Sequence, residues 1–182
     1  MLALKTPEGY DPVRAPVVSA AAAQLDFLLA SLRRRMRDAI VAQLEWQLRP
    51  GVNTVGMLLA HLAVSEAYWV AMFSPSVGDA DEIIRAVIGI HGDDDGMPLP
   101  AHGAHPQSLS GKSVADYFDL LDHARAATHS VLRGWEDNSL EETSTVDGEE
   151  ISRAWMLYHL VEHFAHHRGQ IALLDSLRKT AT

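Results

Sequence analysis

Four histidines near the C-terminal end of the sequence have the spacing of metal ligands. They are His159, His163, His166 and His167, and they stand in a segment, residues 151–179, whose pattern predicts one long helix. With about 100° of rotation per residue, all four lie on one side of that helix. Imidazoles four residues apart are one turn apart and can share one ion, so a further ligand must come from another element.

The apolar stripe of this predicted helix decides which histidines face inward. It overlaps the positions of His163 and His167, whereas His159 and His166 lie towards its edge. An imidazole that faces a core needs a hydrogen-bond or metal partner, because burying an unpaired polar group costs about 1–3 kcal/mol. We therefore take His163 and His167 as candidate ligands. His159 and His166 are secondary candidates that water or a subunit contact can satisfy.

A third candidate ligand, His61, stands in the middle of an apolar face in the first half of the chain. Residues 54–73 are predicted to be helical after the break at Pro50-Gly51, with Asn53 or Thr54 as the cap. Three protein ligands with one open coordination position are typical of a catalytic metal, whereas a structural site normally closes with a fourth ligand.

Two further residues are expected near this site. Gln170 lies about 20° from His163 on the wheel and is expected to line the pocket or hold a ligand. Trp69 flanks His61, and together with Trp155 we interpret it as a core or rim aromatic.

Composition narrows the classes of function. The chain has 182 residues, of which 47% are hydrophobic, which predicts a single domain. The net charge of −9 argues against nucleic-acid binding, and we interpret the arginines at 33–35 and 37 as a solvated helix face. There is no cysteine, so a metal site must use nitrogen and oxygen ligands. With no recognisable leader and no apolar run of about 18 residues, we expect a cytoplasmic protein that does not bind membranes.

The pattern of elements predicts an all-α fold, a four-helix bundle with a long crossover between its second and third helices. The four predicted helices cover residues 16–49, 54–73, 113–135 and 151–179. An arm at 1–15 precedes them, a short amphipathic piece covers 80–90, and an irregular insertion covers 89–111. The turn at Asp147-Gly148 predicts a short hairpin before the last helix. We also expect a homodimer, from the apolar positions on the first helix and the proline-bearing arm.

The insertion contains His91, His102 and His105 together with three aspartates at 93–95. These aspartates lack the spacing of a calcium loop, and we interpret the segment as solvated rather than as a second metal site.

Two stretches resemble the DinB/YfiT-like superfamily of metal-binding four-helix bundles. The first is NTVGMLLAHLAVSE at residues 53–66, and the second, more specific one is HLVEHFAHHRGQI at residues 159–171. The turn at Asp147-Gly148 followed by Trp155 is also similar to the entry to that family's last helix. The resemblance implies a single domain of this type over residues 1–182. It also implies a divalent metal, most often zinc or nickel, held by His61, His163 and His167, with His166 not a ligand.

The resemblance also limits the candidate activities, since family members include thiol-dependent transferases and hydrolases of small molecules. Hydrolysis usually needs a carboxylate base beside the water, and Glu66, about 140° from His61 on the wheel, points away from the ligand direction. We expect Glu66 to be exposed or to pair between helices, and Arg168 to pair with a carboxylate. The sequence therefore favours a thiol S-transferase that uses a low-molecular-weight thiol and an electrophilic small molecule. A metal-dependent hydrolase and a non-catalytic metal-binding or stress-response module stay open.

Overall fold

The computed structural model describes residues 4–74, 103–146 and 148–181. Within these ranges it contains five α-helices and one two-stranded sheet. The helices are α1 (Pro16–Met36), α2 (Val41–Leu44), α3 (Val55–Met72), α4 (Val114–Leu132) and α5 (Arg153–Ala181). The strands are β1 (Thr143–Val146) and β2 (Glu149–Ser152), and single 3-10 turns lie at Gln107–Leu109 and Asp137–Ser139.

The four long helices form the predicted bundle, with α3 at its centre. α3 packs against α4 and α5, while α1 packs against α5 and more lightly against α4. Among the described residues, α3 alone is long and apolar enough to cross a membrane, but 72% of that window is buried inside the bundle. It is therefore the core helix of an all-α fold, and it carries His61 into the interior.

Side-chain caps fix where the central helices begin. Thr54 precedes α3, and its hydroxyl accepts a hydrogen bond from the Met57 amide at 3.1 Å. Ser113 precedes α4 and forms a reciprocal capping box with Asp116. Both starts agree with the sequence-based prediction, because a polar cap before an apolar run is a local signal.

The prediction of one first helix over residues 16–49 is wrong. α1 ends at Met36, and Ile40, although it continues the apolar spacing, is extended and 61% exposed. The Ile40 amide donates to Oε1 of Gln43, which starts the single turn of α2 instead of continuing α1. The apolar repeat thus runs past the point where the chain leaves the helix.

The predicted hairpin is confirmed and leads directly into α5. β1 and β2 pair antiparallel with Val146 opposite Glu149, and Gly148 takes the positive φ of 84° that the turn needs. The Arg153 amide then donates to the Glu142 carbonyl at 3.0 Å, which holds the start of α5 against the hairpin.

The arm and the insertion are described only in part. In the arm, the Tyr10 hydroxyl lies 2.7 Å from Nδ1 of His129 on α4. The predicted piece at 80–90 and residues 89–102 of the insertion lie outside the described residues. Of the insertion, His105 is described, and its Nδ1 lies 2.9 Å from the hydroxyl of the cap residue Thr54.

Candidate metal centre

The structure brings the three candidate ligands together from two helices. α3 supplies His61, and α5 supplies His163 and His167 one turn apart. Nε2 of His163 lies 3.0 Å from Nε2 of His61 and 3.1 Å from Nε2 of His167. The potential ligand atoms of the three residues all lie within 4.8 Å of one another. This arrangement is a candidate site for one metal ion.

The electrostatics of the site favour neutral imidazoles. Burial, together with the neighbouring rings of His167 and His61, lowers the pKa of His163 to about 3. Burial also lowers the pKa of His167. Neutral rings keep the nitrogen lone pairs that a divalent cation requires, so the donor set fits zinc or nickel chemistry.

Gln170 orients one of these rings. Its Oε1 lies 2.8 Å from Nδ1 of His167, so a proton on Nδ1 is donated to the amide and Nε2 is left to face the triad. The same amide donates from its nitrogen to Nε2 of His166 at 2.9 Å. Gln170 thus links the exposed His166 to the buried His167. His166 itself does not face the rings of His61 and His163.

The aromatic candidates lie on the side of the triad towards the C-terminal end of α3. The ring centroid of His159 lies 5.3 Å from that of His163 and 4.8 Å from that of Trp155. The rings of His159 and Trp155 are parallel to within 9°. Trp69 contacts both Trp155 and His159, at centroid distances of 5.2 and 4.9 Å. Between Trp69 and His61 on α3 stands Ser65, whose Oγ lies 3.4 Å from Nε2 of His61.

Glu66 is an inter-helix partner and does not reach the triad. Its carboxylate accepts two hydrogen bonds from Arg125 of α4, at 2.7 and 3.1 Å, and one from the Thr128 hydroxyl at 2.7 Å. Both charged side chains are buried, at 3% and 6% exposure. Arg125 also donates to Asp26 of α1, so this network joins three helices. The ligand-facing side of α3 therefore has no carboxylate base, because Glu66 is the only acidic residue in that helix.

Sequence reasoning missed Arg125 and misassigned Arg168. Arg125 follows the buried Ala124 on α4, and a charge at the edge of an apolar stripe was the available signal for a buried ion pair. Arg168 was expected to bind a carboxylate, but its guanidinium donates to the hydroxyl of Ser31 on α1 at 2.8 Å.

The chain belongs to the DinB superfamily, because the model of that family matches residues 24–171. This covers the first long helix from Gln24 onward and all three candidate ligands.

Solved structures share the fold. A conserved protein from Enterococcus faecalis superposes with a TM-score of 0.65 at 16% identity, covering 88% of this chain and 96% of that one. A DinB-like protein from Bacillus cereus superposes with a TM-score of 0.51 at 18% identity, covering 86% of this chain and 91% of that one. No curated protein matches the sequence significantly.

Proposed function

We propose that this chain holds one divalent metal ion, zinc or nickel, on His61, His163 and His167. We further propose that it is a thiol S-transferase, joining a low-molecular-weight thiol to an electrophilic small molecule. The convergence of three Nε2 atoms from two helices carries this proposal. Three imidazole nitrogens satisfy the ligand requirements of such an ion and leave a coordination position for a small molecule.

The surroundings of the triad favour a thiol over water as the nucleophile. Hydrolysis would need a base beside the water, and the carboxylate of Glu66 is held by Arg125 and Thr128 instead. When bound, the cation would supply the positive charge that lowers the pKa of a thiol next to it. The thiol proton would pass to solvent, and the thiolate sulfur would form a bond to an electrophilic carbon while the carbon–halogen bond, or one carbon–oxygen bond of an epoxide, breaks. The halide then departs with the bonding electrons, whereas the epoxide oxygen keeps them, stays on the product and takes a proton from water.

The protein's own residues hold the geometry of this reaction. Gln170 keeps Nε2 of His167 directed at the triad, and burial keeps the rings of His163 and His167 neutral. We place the reaction in the cytoplasm, where low-molecular-weight thiols are kept reduced, in a homodimer that uses no nucleic-acid or membrane partner.

Metal analysis of purified variants tests the ligand set. We expect His61→Ala and His167→Ala to lose bound metal while their far-UV circular dichroism remains helical. The helices should persist because apolar contacts supply most of the stability of the core. His166→Ala is the matched control, since it removes an imidazole from the same helix without removing a ligand. Equal metal content in His167→Ala and His166→Ala would contradict the proposal.

A thiol-consumption assay tests the reaction class. Metal-loaded protein should consume a cellular thiol in the presence of a halo-aromatic or epoxide electrophile, and the metal-free protein should not. Release of acid from esters or amides without thiol consumption would favour a hydrolase. Metal binding with no turnover in either assay would favour a binding module.

A further inference from the structure

Beside the triad, three rings form a surface that the ligand set does not use. This indole surface consists of Trp69 on α3 with Trp155 and His159 on α5. Trp155 and His159 stack face to face at 4.8 Å, and Trp69 is tilted against both. These mutual contacts fix the orientation of the rings before any ligand arrives, so little side-chain entropy is left to lose on binding.

Trp155 remains 40% exposed although it is a large apolar side chain at the edge of the core. His159 covers one of its faces and Trp69 lies against it at 5.2 Å, so the exposed area belongs to the part of the indole that these two rings leave uncovered. An indole that is partly open to solvent and held in place by two neighbouring rings is suited to stacking on a planar ring.

The indole surface is continuous with the candidate metal centre on both helices. On α5, Trp155, His159 and His163 follow one another at intervals of one turn, with centroid distances of 4.8 and 5.3 Å. On α3, Trp69 and Ser65 follow His61 at the same intervals, and Ser65 Oγ lies 3.4 Å from Nε2 of His61. A small molecule with its reactive atom at the triad can therefore reach the indole surface.

Charge on this surface argues for an uncharged ring. Within the described part of the chain, the arginines that lie over aromatic rings do so at Tyr10, Phe118, Trp135 and Phe164, not at Trp69 or Trp155. The acidic residue of α3, Glu66, is directed to Arg125. On α5 the negative charge of Glu162 acts on His159. The described surface thus offers stacking and apolar contact, with no arginine over its two indoles and with an acidic neighbour that disfavours an anionic ring.

We infer that the indole surface binds the planar aromatic part of the small molecule whose reactive group lies at the His61, His163 and His167 triad. This inference rests on the proposed function, because the triad must accept that group. It adds a substrate class, aromatic electrophiles or aryl-bearing thiols, and names Trp155 as the residue that selects them over saturated analogues.

A first experiment tests the surface without any metal. The four tryptophans are replaced by 5-fluorotryptophan, and their fluorine resonances are assigned with single Trp→Phe variants. Titration with 2-naphthalenemethanol should shift the resonances of Trp155 and Trp69, and cyclohexylmethanol should shift them less. Shifts that are absent, or that are largest at Trp46 or Trp135, would overturn the inference and leave the proposed function standing.

A second experiment measures selectivity at the loaded site. Cobalt-loaded protein is titrated with 2-naphthylmethanethiol and with cyclohexylmethanethiol, and binding is followed by the sulfur-to-cobalt charge-transfer absorption. Comparing the ratio of the two dissociation constants between variants cancels the different acidities of the thiols. In Trp155→Leu, the preference for the aromatic thiol should fall about threefold to tenfold, the value of one aromatic contact.

Tyr158→Leu is the matched control, because Tyr158 is a 65% exposed aromatic residue on α5 that lines the groove towards α1. Its preference should equal that of the wild type. An unchanged preference in Trp155→Leu overturns the inference while cobalt loading remains. Absence of cobalt loading in the wild type instead overturns the proposed function and the link to the triad, and the fluorine titration then tests only whether the indole surface binds an aromatic ring.

Discussion

Gln170 is the residue that sets the tautomer of a candidate ligand. Its single amide accepts from Nδ1 of His167 and donates to Nε2 of His166, so both ends are satisfied in only one amide orientation. A ring held in this way presents its other nitrogen without rotating. The ring of His167 is then already oriented in the folded protein, so metal binding does not have to order it.

Replacing Gln170 by alanine should weaken metal affinity about 10-fold to 100-fold, because His167 loses the group that orients its ring. A competition titration with a chromophoric chelator measures this. His166→Ala is the control, since it removes the other partner of the amide and should change affinity much less. Equal affinities in Gln170→Ala and the wild type would contradict a role in orienting His167.

At the level of elements, the position of α3 depends on a close approach to α4. A Cβ atom on Gly56 would lie 2.6 Å from the hydroxyl oxygen of Tyr117, a fully buried residue whose hydroxyl donates to the Leu109 carbonyl. Glycine is therefore required at this position so that α3, which carries His61, can pack at its observed distance.

Gly56→Ala should lower the free energy of unfolding by about 1–3 kcal/mol, because the added methyl group overpacks the contact with Tyr117. Gly169→Ala is the matched control in α5, where an added Cβ meets nothing within 4 Å. That change should raise the free energy of unfolding by up to about 1 kcal/mol through helix propensity. Urea denaturation compares the two variants, and equal effects would contradict the packing argument.

The sequence was sufficient for those features that local signals or helix geometry determine. The starts of the helices next to Thr54 and Ser113, the hairpin turn and the inward face of His163 and His167 were all predicted from neighbours in the chain. The end of α1 was not, because the apolar repeat continues through Ile40 after the helix stops. An inter-helix pair was one of the two expectations for Glu66, but its partner Arg125 was missed, because the two residues are 59 positions apart and a helical wheel gives a direction without a neighbour.

At the level of the whole molecule, the buried histidines make folding sensitive to acid. The pKa of His163 lies at about 3 in the folded chain and near its ordinary 6.5 in the unfolded chain. Burial lowers the pKa values of His159 and His167 in the same direction. Between these limits the unfolded chain binds more protons, so the folded state loses stability as the pH falls.

Without metal, the free energy of unfolding should therefore decrease as the pH falls from 6.5 towards 3.8, the ordinary pKa of an aspartate. Carboxyl groups with a lowered pKa, such as Asp26 and Asp175, add to this loss of stability only below that pH window, because the ordinary pKa of an aspartate is 3.8. Urea denaturation at several pH values in the presence of a chelator measures the slope. His163→Gln should flatten the slope, and a slope unchanged by that substitution would contradict the assignment of the pH dependence to His163.

The predicted homodimer stays a prediction.

His61 and His163 are separated by 102 residues in the sequence but by 3.0 Å between their Nε2 atoms. An ion bound by both residues would connect the first third of the polypeptide to its last segment as a reversible cross-link. Such a cross-link would form only after the two helices have docked, so the ion would report completed assembly rather than guide it. Loss of the ion would break that cross-link but leave the apolar contacts that hold the two helices together.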